Sequence, residues 1–165
     1  MSMSQAISSE YALDENKLRQ MIFFFLSRGD NTLGKTKLMK LLYYSDFGHF
    51  VHYGQAISGA EYIKLPQGPV PYKAMKMLDK LARADVLTSD RIQVGSMVRH
   101  AYGLADNTEF DPSELSAAEI ETLERVWKEW GAASTSEIVE ASHRELGWLS
   151  TPLGSVIPYH TALFG

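Results

Sequence analysis

KTKLMKLLYYSDFGHFVHY, residues 35–53, decides how this chain folds. Its apolar positions recur at helical spacing, and neither Gly nor Pro interrupts it before Gly48, so the spacing predicts a helix. At about 100° per residue, Leu38, Leu41, Leu42, Ser45 and His49 gather on one side. Met39, Tyr43, Phe47 and Phe50 gather on a second. The strip left over carries Lys37, Lys40, Tyr44 and Val51. A helix with two apolar faces has to be wrapped by the rest of its domain. This is the expected core helix.

Working outward, Asp14 can cap a first helix that runs to Arg28 with Leu18, Met21, Ile22, Phe25 and Leu26 on one stripe. Gly29 suits the C′ position that ends it. The run MIFFFL also reads as a buried strand, and the stripe from Leu18 onward favours the helix. Beyond the core helix comes a turn-rich connection, residues 54–59, then an extended piece over 61–65. In Gly68-Pro69-Val70-Pro71, two prolines fix φ twice, which predicts a stiff corner leading into a helix that ends near Ala84. That helix turns Met75, Leu78 and Leu81 inward. Residues 86–105 read as a β-hairpin about a Gly95-Ser96 turn. Ser116 with Glu119, and Ser134 with Glu137, are capping boxes that open two more helices. The first carries Ile120, Leu123, Trp127 and Trp130; the second runs through Ile138, Val139, Ser142 and Leu146. The tail, with Trp148, Val156, Ile157, Tyr159, Leu163 and Phe164, is too apolar to lie free in water. The fold class is therefore mainly α: a single compact helical domain, residues 13–165, of about five helices with one small β-hairpin, behind a flexible leader, residues 1–12.

The 165 residues suit one domain with a proper core, and 45% hydrophobic content speaks for a globular chain. No apolar run approaches the ~18 residues of a membrane span, and Met1–Glu10 is too polar for a signal peptide. Without cysteine there are no disulfides, thiolate metal sites or cysteine nucleophiles. A cytoplasmic protein with no membrane partner is the expectation. The net charge of −4 is unevenly spread. Residues 1–104 hold 13 Lys/Arg against 9 Asp/Glu, and residues 105–165 hold 3 against 11. A weakly basic half thus precedes an acidic one.

Several constellations could carry chemistry. Gly29-Asp-Asn-Thr-Leu-Gly34-Lys35-Thr36 fits G-x-x-x-x-G-K-[ST], in which backbone N–H groups wrap phosphate, Lys35 reaches it and Thr36 binds Mg²⁺. That mechanism needs a strand before the loop and a parallel sheet, whereas the element before it here reads as a helix. The plainer reading is a helix end followed by a loop. Asp46, His49 and His52 recur every three residues and rotate through about 240°, so they cannot readily face one metal ion. Ser142 and His143 are adjacent, about 100° apart on a helix, which is poor geometry for a nucleophile and its base. Catalytic residues, cofactor and metal are accordingly not expected. Lys73, Lys76, Lys80 and Arg83 share one helix face and precede a hairpin carrying Arg91 and Arg99. Three helices and a hairpin is the order of a winged helix, where such a stripe meets phosphates, so DNA is a candidate partner. A solvated face explains the same stripe without a ligand. Trp127 and Trp130 have the spacing of core residues, leaving Trp148 as the aromatic candidate for an interface.

The run 36–46, TKLMKLLYYSD, is similar to the KLxKLLYxxD signature of the SocA-like antitoxin family, also called the Panacea domain, which includes phage-associated GepA-like proteins. Its matching positions are Lys37, Leu38, Leu41, Leu42, Tyr43 and Asp46. Gly54, Gly59, Tyr62, Gly68, Pro69 and Pro71 follow in the family's order, then Ser142, His143, Trp148 and residues 156–159, VIPY. The resemblance spans residues 14–164. The family often has Pro before its tryptophan; Gly147 stands here, which is expected to loosen the final turn. Gly34-Lys35 is no part of the family pattern. The resemblance implies a non-enzymatic antitoxin that binds a cognate toxin, usually encoded beside it, and in one member hands that toxin to the ClpXP protease. Signature residues are expected to be mostly structural, with His143 and Trp148 locking the tail. Partner contacts are expected on the acidic half, at Glu137, Glu140, Glu145 and Trp148. A DNA-binding regulator using Lys73, Lys76, Lys80 and Arg83, or a nucleotide-binding protein using residues 29–36, are the alternatives.

Overall fold

The computed structural model of this chain describes residues 12–164. Residues 35–53 form one helix with the limits that the periodicity predicts. The elements are α1 (Glu15–Arg28), β1 (Leu33–Gly34), α2 (Lys35–Tyr53), β2 (Tyr62–Leu65), β3 (Gly68–Pro71), α3 (Tyr72–Arg83), β4 (Leu87–Val94), β5 (Met97–Leu104), α4 (Ala117–Trp130), α5 (Thr135–Ser142) and α6 (Leu146–Ser150). Short 3-10 turns occupy Pro112–Glu114 and Tyr159–Phe164. The expected leader lies outside the described residues except for Ala12.

Both apolar faces of α2 are covered. Leu38, Leu41 and Leu42 are wholly buried, and Met39, Tyr43, Phe47 and Phe50 nearly so. Each such side chain contributes about 1.5–3 kcal/mol by leaving water. The helix packs against α4, α5, β3 and the C-terminal 3-10 turn. Phe47 meets Tyr43 at 4.5 Å and Tyr159 at 4.6 Å between ring centroids. Gly54 closes α2 in the left-handed region (φ 73°), where a side chain would be strained. MIFFFL is helical and buried throughout, so α1 supplies a second slab of core. Asp14 caps α1 at the Lys17 amide, and both serine–glutamate capping boxes are formed.

The strands make two antiparallel sheets, more β-structure than one hairpin. The expected hairpin is β4–β5, turning at Gly95-Ser96, and β1 adds a third strand on the β5 side. The order α1–β1–α2–α3–β4–β5 with sheet order β1–β5–β4 is the connectivity of a winged helix. A separate hairpin, β2–β3, is inserted between α2 and α3.

The fold departs from local expectation at four other places. The Gly-Pro-Val-Pro stretch is strand β3 rather than a bare corner. A two-stranded sheet has only edges, and with Pro69 and Pro71 at alternate positions their missing N–H groups fall on one side of the strand. Lys40, expected on the outer strip, is buried, and its Nζ donates to the Pro69 carbonyl at 2.9 Å. The helix opened by Ser134 stops at Ser142. Glu145 is extended (ψ 142°) and Leu146 opens α6, so Leu146 and Trp148 belong to a separate helix. Gly29 ends α1 without a left-handed conformation (φ −90°). Its value is space, because a Cβ there would fall 2.8 Å from that of Leu33.

One interaction dominates the centre. Asp46 is fully buried on α2, and its carboxylate accepts from the Ser58 amide at 2.7 Å, the Ser58 hydroxyl at 2.6 Å and the Tyr62 hydroxyl at 2.6 Å. The Ser58 carbonyl in turn accepts from the Asp14 amide at the start of α1. Burial pushes the Asp46 carboxyl above its usual range while these donors pull against the shift. Asp46→Ala would leave the Ser58 and Tyr62 donors buried without an acceptor, and should cost about 3–5 kcal/mol in denaturant unfolding. A loss below about 1 kcal/mol would refute this role for the carboxylate.

Candidate functional site

Most of the signature residues are buried, and Lys37, Gly59 and His143 are half-buried. Lys37 reaches from α2 to the carbonyls of Gly131 (2.8 Å) and Ala133 (2.6 Å), just past the end of α4, where a cation suits unpaired carbonyls. Lys40 pins β3 in the same way. Gly68 (φ 117°) has no room for a side chain: a Cβ would lie 2.5 Å from Lys40 Cε and 2.9 Å from Ser142 Oγ. Lys40, Gly68 and Ser142 therefore meet at one point, joining α2, β3 and α5. Nothing in sequence spacing shows that meeting, although a lysine set between Met39 and Leu41 is its local sign. Ser142 donates to the Val139 carbonyl at 2.7 Å, and His143 stacks on Trp148 at 4.4 Å with planes 17° apart. Lys64 covers Trp148 at 4.6 Å and donates to its carbonyl at 2.7 Å. Trp148 is buried, so its indole locks the C-terminal segment against β2 and offers little surface to a partner. Gly147 tightens this packing: a Cβ there would fall 2.5 Å from Thr161 Oγ1. The expected loosening does not occur.

The remaining titratable candidates are also engaged. His49 Nδ1 lies 2.8 Å from Thr122 Oγ1, and Asp46 is taken up by Ser58 and Tyr62. No metal-holding cluster exists among the described residues. No helix among them is long and apolar enough to cross a membrane. The Gly29–Thr36 string follows a helix, passes through left-handed Asp30 and Asn31, and enters a strand antiparallel to β5. It lacks the preceding strand and parallel sheet of a phosphate-binding P-loop.

What faces outward is of three kinds. Glu137 and Glu140 are exposed on α5, although Glu137 also accepts from the Ser134 amide in its capping box. Glu145 is half-buried, and burial raises its carboxyl above the usual range beside Tyr44. Beyond them the C-terminal segment exposes Leu146, Leu149, Leu153 and Val156. On the opposite charge side, Lys73, Lys76, Lys80 and Arg83 are exposed along α3. A cleft of about 750 Å³ lies between the β4–β5 hairpin and the first turns of α2 and α5, lined by Lys35, Lys37, Arg91, Arg99 and His100 among others. Sequence alone could not assemble it from three separated segments.

A family model described as antitoxin SocA-like, Panacea domain, matches residues 38–149. The chain belongs to the SocA-like antitoxin family. The match covers more than half of the chain, from the first buried leucine of α2 to the end of the Trp148 lock, a narrower span than the motifs alone outline. No curated protein and no solved structure matches the chain significantly. In this SocA-like chain Lys37, Asp46, Gly68, His143 and Trp148 of the signature are all engaged in contacts within the fold.

Burial lowers the Lys40 amine to about 8, against 10.5 for a free lysine. Between those values the unfolded chain binds more protons than the folded one, so stability rises with pH. Denaturant melts from pH 7 to about 9.5, below the tyrosine range, should show this rise in the native chain and its loss in Lys40→Met. Parallel profiles for the two proteins would contradict it.

Proposed function

We propose that this SocA-like protein is the antitoxin of a toxin–antitoxin pair, acting in the cytoplasm on a toxin encoded beside it. The family match over residues 38–149 carries this reading. Direct binding needs no reactive residue: a complementary surface blocks or distorts the toxin. The buried use of Asp46, Lys40, His143 and Trp148 supports a rigid scaffold that presents its exterior. We place the toxin contact on the acidic C-terminal half, where exposed Glu140 and Glu137 lie on α5, next in the chain to the apolar residues Leu146, Leu149 and Leu153. Glu145 borders that surface from its half-buried place beside Tyr44. A basic toxin with an apolar patch fits such a surface. Delivery to ClpXP is a variant of this mechanism in which the toxin's abundance falls as well as its activity.

Co-expression with the neighbouring gene tests the reading. The expected outcome is a stoichiometric complex and rescued growth; a toxic neighbour with neither complex nor rescue would overturn it. A toxin half-life that shortens only in cells containing ClpX would identify the adaptor variant. Glu140→Lys and Leu149→Asp lie outside the capping boxes and the core. Each should weaken the complex by about tenfold or more with little change in melting temperature. Unchanged affinity in both would move the toxin contact elsewhere.

A further inference from the structure

We propose that the winged-helix half of this chain binds duplex DNA, with α3 against the duplex and the β4–β5 hairpin and neighbouring cleft on its phosphates. The juxtaposition that carries this is topological. The order α1–β1–α2–α3–β4–β5, with the β2–β3 hairpin inserted between α2 and α3, and the sheet order β1–β5–β4 set α3 as the third helix and β4–β5 as the wing. In helix-turn-helix folds of this kind the last helix enters the major groove and flanking elements hold the backbone. The residues at those positions fit that use. Helix α3 buries Ala74, Leu78 and Leu81 and leaves Lys73, Lys76, Lys80 and Arg83 exposed, with Asp79 the one acid in the helix. None of the four cations forms a salt bridge among the described residues.

The wing repeats the pattern. Arg91 and Arg99 are exposed on β4 and β5 and line the cleft with Lys35 and Lys37. Gly34 makes room for this: a Cβ there would fall 2.6 Å from Arg99 Cδ, so the arginine stem crosses over the glycine. Burial lowers the Lys37 amine, Arg99 beside it lowers it further, and Glu137 pulls the other way. Lys35, Arg91 and Arg99 add to this positive charge, which Glu137 offsets only in part, and such a cluster favours an incoming anion. An acidic protein segment would answer the charge alone; duplex DNA answers both the charge and the connectivity. The cations of α3 and the hairpin belong to the basic half and stand apart from the toxin-binding reading, while the cleft borders the first turn of α5 that this reading also uses.

Fluorescence anisotropy with the full chain and a labelled mixed-sequence duplex of about three helical turns is the test. Binding is expected to weaken steeply between about 50 and 200 mM salt, as phosphate contacts release counterions. The double variant Lys76→Ala/Lys80→Ala, and separately Arg91→Ala, should each bind about three- to tenfold more weakly. The salt slope should flatten by about one unit for each phosphate left without its cation. Absence of binding at the lowest salt, equal affinity in the variants, or equal binding to duplex RNA or single-stranded DNA would overturn the assignment. Toxin neutralisation by Lys76→Ala/Lys80→Ala should persist; its loss would place α3 in the toxin interface and overturn the assignment as well.

Discussion

A carboxylate removed entirely from water is tolerated only when its neighbours replace the lost solvation. Asp46 sets that condition for this fold. It sits midway along the core helix, so Ser58 and Tyr62 must arrive with their donors aligned, and the loop after α2 has one acceptable path. That path returns the chain as β2 beneath the C-terminal segment and, through the Ser58 carbonyl, holds the first turn of α1. Apolar burial supplies most of the driving force, but it is not directional. The Asp46 cluster supplies direction, and Lys40 does the same for β3.

Much of this is legible in the chain. The limits of α2, both capping boxes, the Gly95-Ser96 hairpin and the buried character of α1 follow from short-range rules of periodicity, capping and turn chemistry. The features that are not legible have a common origin in distant partners. A lysine is normally exposed, and only the Pro69 carbonyl, far along the chain, makes the burial of Lys40 acceptable. Gly68–Pro71 reads as a corner because its strand partner is four residues of unremarkable sequence at β2. The break between α5 and α6 falls between Ser142, packed at Gly68, and Gly147, packed at Thr161, two contacts not visible locally. The candidate surfaces are half legible. Composition separates a basic from an acidic half, while the cleft needs the hairpin, α2 and α5 to be assembled first. Trp148 shows the reverse case: a tryptophan outside the main helical patterns looks like an anchor until His143 and Lys64 enclose it.

The charge asymmetry acquires a spatial meaning from the fold. The basic half contains the winged-helix elements, and the acidic half contributes α4, α5 and the C-terminal 3-10 turn, which pack against α2, with α6 on that turn. The two halves share α2 as a common wall, with Lys37 bonded across it to the end of α4. Substitutions along the wall, such as at Lys37 or Lys40, would disturb both surfaces together, whereas exteriors such as Glu140 or Lys76 can change independently. A scaffold with fixed internal fastenings and free exteriors is well suited to changing partners while keeping its fold.

The two prolines of β3 have a further consequence for how the outer edge of that strand is buried. A strand edge packed into the interior meets no water, so every amide on it needs a partner within the protein. Pro69 and Pro71 remove those donors at alternate positions, and the Pro69 carbonyl is already claimed by Lys40. The edge is therefore chemically silent. All four residues of β3 are buried, so its outer edge can lie against the core helix without orphaning a donor at either proline.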